Sequence, residues 1–228
     1  MTTEMNTTSE RPRYFPRQVI TADDLTADQD YFRDKLRRHN RMLHGWGIRC
    51  GALAEAVKNS DGSFKPWFVK INPGYIIGPY GDEINLEKAV CCDLRIKCSA
   101  HVVPDTPDPC TDSVTQAPPP AGDKFYVVIQ YWQEEARPVR LKASGCGCGE
   151  NPCENSRYRD AYRVCVLDTL PASHTPAPGP PVLGPGEAPP CPPMPPDSWV
   201  VLARVTVDKA GAVGDIKFDD RRILVVHG

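Results

Sequence analysis

Three cysteines crowd into eight residues of the stretch GCGCGENPCE: Cys146, Cys148 and Cys153. The glycines between them let a short loop fold back, so several thiolates can reach one tetrahedral zinc ion. The spacing is C-x-C-x4-C, not the paired C-x2-C of a zinc ribbon, so a fourth ligand has to come from elsewhere. Cys191, Cys165, Cys110 and His174 have suitable chemistry, and Cys191 completes the set Cys146, Cys148, Cys153 and Cys191. The competing reading is disulfides or free thiols, for example a Cys153–Cys191 bridge that staples a proline-rich stretch to the body. Ten cysteines permit full pairing without requiring it. Disulfides would need a product that reaches oxidising surroundings, for instance after cell lysis. Cys50 and Cys165 lie inside apolar strand patterns and read as buried, inert thiols. Cys91 and Cys92 are consecutive on a strand and point to opposite faces, which argues against a vicinal bridge.

No nucleophile with a base emerges. The chain has no G-x-S-x-G, P-loop, H-E-x-x-H or G-x-G-x-x-G pattern. His39 and His44 are five apart on a helix and fall on different faces, so they are poor co-ligands. His101 and His174 flank proline-rich stretches, and His227 is penultimate. Glu134 and Glu135 are adjacent at a strand end and face opposite ways, as solvated charges do. A thiol enzyme built on Cys146 or Cys148 would need a nearby base that the sequence does not supply. The expectation is a protein that is not an enzyme.

These side chains have to be positioned by a chain of 228 residues with 25 prolines and a formal net charge of −2. That length suits one domain or a tightly joined pair. Near-neutral charge argues against nucleic-acid binding, and no apolar run is long enough to span a membrane. The polar start MTTEMNTTSERPRYFPRQ has no apolar segment of the kind a secretion signal uses. Prolines concentrate in two stretches, six from Pro104 to Pro120 and twelve from Pro171 to Pro196. Proline lacks a backbone donor, so these are extended excursions outside any sheet interior.

The first block opens with a helix. Thr26 with Gln29, or Thr21 with Asp24, offers a capping box. Phe32, Leu36, His39 and Leu43 recur on one face of a 3.6-residue period, and Gly45 supplies the stop. Early Asp23, Asp24, Asp28 and Asp30 and late Arg37, Arg38, Arg41 and His44 match the helix dipole, so RDKLRRHNR reads as a solvated face. Strands are expected over 47–57, 64–71, 89–97, 125–133, 158–170, 199–208 and 223–226, with a hairpin over 74–86 that turns near Gly81-Asp82. A DKAG turn follows at Asp208–Gly211. The fold class is mainly β, a β-sandwich or small barrel-like sheet with one N-terminal α-helix and two proline-rich excursions.

Three segments carry a resemblance: RYFPRQVITADDLTADQDYF (13–32), RRHNRMLHGWGIRCGALAEA (37–56) and NPGYIIGPYGDEINL (72–86). A helix ending in N-R-x-L-H-G-W-G, then a short strand, then a P-G-Y-x-I-x-x-Y-G-x-E-I hairpin resembles a module of phage-like tail proteins. It is similar to parts of baseplates and tail fibres of contractile tails and extracellular contractile injection systems. The stretch 145–174 resembles uncharacterised members of the same group. The resemblance implies a structural particle component made in the bacterial cytoplasm and carried outside in a particle. Its expected partners are other particle subunits (baseplate, tube, sheath or fibre proteins) and further copies of itself, a trimer among the options.

The implied division is a docking arm at 1–20, a helix-plus-hairpin attachment module at 21–103, a proline-rich loop at 104–122 and a β domain at 123–228. The last holds the cysteine loop at 146–153 and the excursion at 171–196. Assembly contacts are expected at Arg37, Arg41, Trp46, Tyr75 and Tyr80 in the attachment module. In the arm, RPRYFPRQ cannot form its own core, and Tyr14 and Phe15 are its anchors, against a neighbour or its own sheet. No long shaft follows the module, which favours a compact baseplate or decoration protein over a fibre. The other reading is a surface-recognition β module that binds metal or carbohydrate, with Trp46, Trp67, Trp132 and Trp199 as aromatic platforms.

Overall fold

The computed structural model describes residues 10–101, 124–140, 153–174, 186–188 and 190–224. Helix α1 spans Ala22–His39. Of the two capping candidates the chain uses Thr21. Its hydroxyl accepts the Asp24 backbone N–H, and the Asp24 carboxylate accepts the Thr21 N–H in return. Thr26 lies inside the helix and donates to the Ala22 carbonyl. A π turn over Asn40–His44 follows, ended by Gly45 at φ 75°.

The first seven strands are β1 (Gly47–Gly51), β2 (Ala54–Lys58), β3 (Phe64–Ile71), β4 (Gly74–Ile77), β5 (Glu83–Leu86), β6 (Val90–Asp93) and β7 (Cys98–His101). Four more follow: β8 (Lys124–Arg140), β9 (Cys153–Leu167), β10 (Val200–Val207) and β11 (Val213–Lys217). They form three open sheets, ordered β1-β4-β5, β2-β3-β6 and β11-β10-β8-β9-β7. The mainly β class with one N-terminal helix holds. The architecture is three sheets around a shared interior, without closure into a barrel.

That interior takes Ile48 from β1, Ile76 from β4, Ile84 and Leu86 from β5, Val69 and Ile71 from β3, and Phe125, Val127 and Ile129 from β8. Leu202 and Val205 of β10 complete it. The alternate residues Tyr126 and Val128 enter a second cluster with Cys165 and Val201 on the other face of the large sheet. Burial on both faces is why FYVVI reads as a continuous apolar run.

The segment 47–57 is two strands, not one. Gly51 and Ala52 both have positive φ, and a Cβ on Gly51 would lie 2.1 Å from the Pro73 carbonyl oxygen. Pro66 is tolerated in β3 because the register slips there, from Val69 opposite Ala56 to Phe64 opposite Lys58. The segment 89–97 stops at Asp93, whose carboxylate takes the Arg95 guanidinium at 2.9 and 2.6 Å and the Arg95 N–H at 3.0 Å. At the tail, Ile223 makes only a single parallel bridge to Ile48, and 225–228 fall outside the described residues.

Strands β8 and β9 outrun their neighbours. Pairing to β10 stops at Ile129 and pairing to β7 stops at Tyr162, yet β8 and β9 stay paired out to Arg140 opposite Cys153. The result is a projecting two-stranded ribbon whose connection, 141–152, lies outside the described residues.

The cysteines correct two expectations. Cys165 is not an inert thiol: it lies opposite Cys98 in the β7–β9 ladder and is disulfide-bonded to it. Cys50 is exposed and free, because β1 is an edge strand whose last three residues face solvent. Cys91 and Cys92 do point to opposite faces, Cys91 into a small cluster with Val57 and Phe68 and Cys92 into the main interior. Cys91 is disulfide-bonded, whereas Cys92 is free, its thiol pushed up to about 12 by burial and then by Asp93.

Candidate assembly surface

The C-terminal end of α1 is tied to the body by side chains that the sequence places in the attachment module. Arg37 pairs with Asp82 at 2.5 Å, and its guanidinium lies 5.7 Å from the centre of the Tyr131 ring. The buried Asn40 amide donates to the Gly81 carbonyl at 3.0 Å and to the Glu83 carboxylate at 3.3 Å. Gly81, at φ 91°, lets the β4–β5 turn come against the helix: a Cβ there would sit 2.0 Å from the Arg37 carbonyl oxygen. Tyr131 donates to Asp160 at 2.5 Å, and burial, followed by that carboxylate, raises its hydroxyl well above the usual range.

Beyond the helix the π turn changes a geometric expectation. It brings His39 and His44 edge to face with centroids 5.3 Å apart, although a regular α-helix would separate them. A π turn holds more residues per turn, so positions five apart come into line. The chain then enters the core through Trp46. This residue, expected as an assembly contact, is only 6% exposed. Its ring is stacked by Arg222 at 4.4 Å and met edge-on by His174 at 5.0 Å.

The opposite end of the module has no such anchorage. No residue of α1 is buried. Leu25, Phe32 and Leu36 are each 52% exposed along one face, and Val19, Ile20 and Phe15 precede them in the arm, also exposed. Tyr14 and Phe15 lie on a short turn closed by the Gln18 N–H on the Phe15 carbonyl at 3.2 Å and the Phe15 N–H on the Gln18 side chain at 3.1 Å. This is a run of large apolar side chains left in water along the arm and one face of the helix.

The remaining expected contacts divide. Tyr75 is half-buried against the interior, its hydroxyl pushed up to about 12 by burial and by Glu83. Tyr80 lines a cleft with Arg37, Asp82, Tyr131 and Trp132. Arg41 turns toward the Met194 sulfur of the second proline-rich stretch. Of the four tryptophans only Trp132 presents an exposed ring, and Arg163 lies over it; Trp67 and Trp199 pack on the two apolar clusters. Sequence reasoning missed Asn40, Asp82 and Tyr131 as the helix's tethers. The only signal was Gly81-Asp82, read there as a turn.

Half of the proposed zinc set lies within the described residues. Cys146 and Cys148 lie outside the described residues, Cys153 begins β9 opposite Arg140, and Cys191 is a free, exposed thiol. Among the described residues no group of three or more His, Cys, Asp or Glu side chains is arranged to hold a metal ion. None of their helices is long and apolar enough to cross a membrane.

No family model matches the chain, and no curated protein matches it. Among solved structures it is similar, at 11% identity and a TM-score of 0.41, to a chain of the type VI secretion system TssK-TssF-TssG baseplate subcomplex. The alignment covers 90% of this chain and 59% of that one, so the chain spans about three fifths of that neighbour's length.

Proposed function

We propose that this chain is a structural assembly component of a phage-tail-like contractile particle: a baseplate, fibre-attachment or decoration subunit. The observation that carries this reading is the N-terminal module. Arm and helix present Phe15, Val19, Ile20, Leu25, Phe32 and Leu36 to solvent, while Arg37, Asn40 and Gly81 fix the helix's other end to a rigid β body. Exposed apolar rows of this kind mark surfaces that are covered in an assembly. The three segments that resemble tail proteins are the arm, the helix with its π turn, and the β4–β5 hairpin that holds it. The role requires no catalytic step. The subunit is made in the cytoplasm and leaves it within the particle.

The test is sedimentation of particles from the producing bacterium with this chain tagged at its C-terminus. Co-sedimentation with sheath and tube proteins supports the reading. A chain that stays in the supernatant as a free monomer rejects it.

A further inference from the structure

We propose that Cys91 is cross-linked to Cys110, so that the first proline-rich stretch is tied to the outer face of the β2-β3-β6 sheet. Cys91 is disulfide-bonded. Cys98 and Cys165 are bonded to each other, and Cys50, Cys92 and Cys191 are free. The partner of Cys91 is therefore one of the remaining four: Cys110, Cys146, Cys148 or Cys153.

Reach separates these four. At about 3.3 Å per residue, β8 runs about 50 Å from Lys124 to Arg140. Lys124 is opposite Thr206 of β10 in the body, and Arg140 is opposite Cys153 at the far end of the ribbon. Cys91 belongs to the Lys124 end. Three residues on, Leu94 donates its N–H to the Trp67 carbonyl at 2.9 Å, and the Trp67 N–H donates to the Gly211 carbonyl at 2.8 Å. Gly211 lies in the turn that follows Thr206 and Val207, at that same end of the large sheet. Cys153 is therefore far beyond the Cα separation of roughly 4.4–6.8 Å that a disulfide spans. Cys146 is six residues past Arg140 and Cys148 five before Cys153. Even a fully extended chain carries these two only about 20 Å back toward the body, less than half the length of β8. Cys110 has no such obstacle. It lies nine residues after His101, which is opposite Tyr162, and fourteen before Lys124. Nine residues reach about 30 Å and fourteen about 50 Å, and both spans start in the body. The side-chain direction agrees. Cys91 faces outward with Val57 and Phe68, open to a segment arriving from outside, whereas Cys92 points into the main interior.

Closing the bond removes two protons and two electrons from the two thiols. A small-molecule disulfide takes them up by exchange and leaves as two thiols. The pairing stands apart from the assembly role and is tested on the purified full chain. The chain is equilibrated with glutathione disulfide, denatured, alkylated without reductant, and cut with trypsin and an aspartate-directed protease. The expected product is AVCC (89–92) joined to DPCT (108–111), with Cys92 alkylated, and it is lost on reduction. Cys110→Ala alters no strand residue. In that variant Cys91 is recovered alkylated, while the Cys98–Cys165 link persists. Recovery of AVCC joined to a fragment that holds Cys146, Cys148 or Cys153, joined to a second copy of the chain, or with both thiols alkylated would overturn the pairing. So would a joined Cys91 that survives Cys110→Ala.

Discussion

Arg37 reaches from the last turn of α1 to Asp82 in the β4–β5 turn at 2.5 Å, with the carboxylate only 11% exposed. This ion pair and the Asn40 amide hold one end of an otherwise unburied helix. Asp82→Ala removes the partner of a guanidinium that is itself 28% exposed, a loss of about 1 kcal/mol, above that of a fully solvated pair. The larger effect is local. Hydrogen–deuterium exchange over 33–44 speeds up while exchange in β8 and β10 stays unchanged, because the helix opens without the body. Uniform protection after the substitution would mean the tether lies elsewhere.

Gly81→Ala tests the same junction through the backbone. The position has φ 91° and the added Cβ would meet the Arg37 carbonyl oxygen. A strained left-handed residue and a displaced turn together cost about 2–3 kcal/mol. In a chain of this size that lowers the thermal midpoint by roughly 4–10 °C. Scanning calorimetry of the variant checks it; an unchanged midpoint contradicts the close approach.

His174 makes stability depend on pH. Its Nε2 accepts the Val201 N–H at 3.0 Å, so Nδ1 carries the proton and donates to the Asp220 carbonyl at 3.0 Å. Burial lowers its pKa, outweighing the opposing effects of the Asp220 carbonyl and the Asp197 charge. The folded state therefore prefers the neutral ring. Its contribution is complete above the unfolded value near 6.5 and declines as pH falls below that value toward the lowered folded one. Thermal midpoints of the native chain should fall between pH 7 and 5 more steeply than those of His174→Asn. Parallel slopes for the two chains would remove His174 as the cause.

The Cys98–Cys165 disulfide closes a loop of 67 residues. Cross-linking a loop of that length restricts the unfolded chain by about 4 kcal/mol. The double substitution C98A/C165A should lower stability toward urea by roughly that amount, with the interior otherwise intact. Non-reducing peptide mapping of the native chain should recover the two cysteine peptides joined. Recovery of Cys165 as a free thiol would contradict the pairing.

Much of this fold is legible because periodicity and turn chemistry agree. Strand β3 covers the expected 64–71, the 74–86 hairpin forms with Gly81 in its turn, and Asp208–Gly211 closes the turn before β11, with the Asp208 carboxylate accepting the Ala210 and Ala212 N–H groups. Elsewhere a tertiary contact decides what local pattern cannot. The break at Gly51-Ala52 follows from the approach of Pro73, and the His39–His44 contact from a π turn that α-helical spacing excludes. The Cys98–Cys165 partnership depends on strand β7 joining the edge of β9, a long-range pairing with no local signature. The ribbon beyond Tyr131 is rich in charge and contains Pro138, so it lacks the apolar alternation by which strands are recognised. For the candidate surface, Phe32 and Leu36 were visible as an apolar face, and Tyr14 and Phe15 as anchors. That the face is left uncovered is a property of packing, and only the fold reveals it.

On the proposed reading, this exposed N-terminal module attaches the chain to a contractile particle. The most direct measurement is quantitative mass spectrometry of purified particles from cells that carry the native chain or the arm variant F15D/I20D. Both residues are exposed, so the variant folds with the native thermal midpoint. The expected result is a fixed number of native chains per particle and loss of the variant by at least about tenfold. Equal incorporation of both, or native particles lacking the chain, would contradict it.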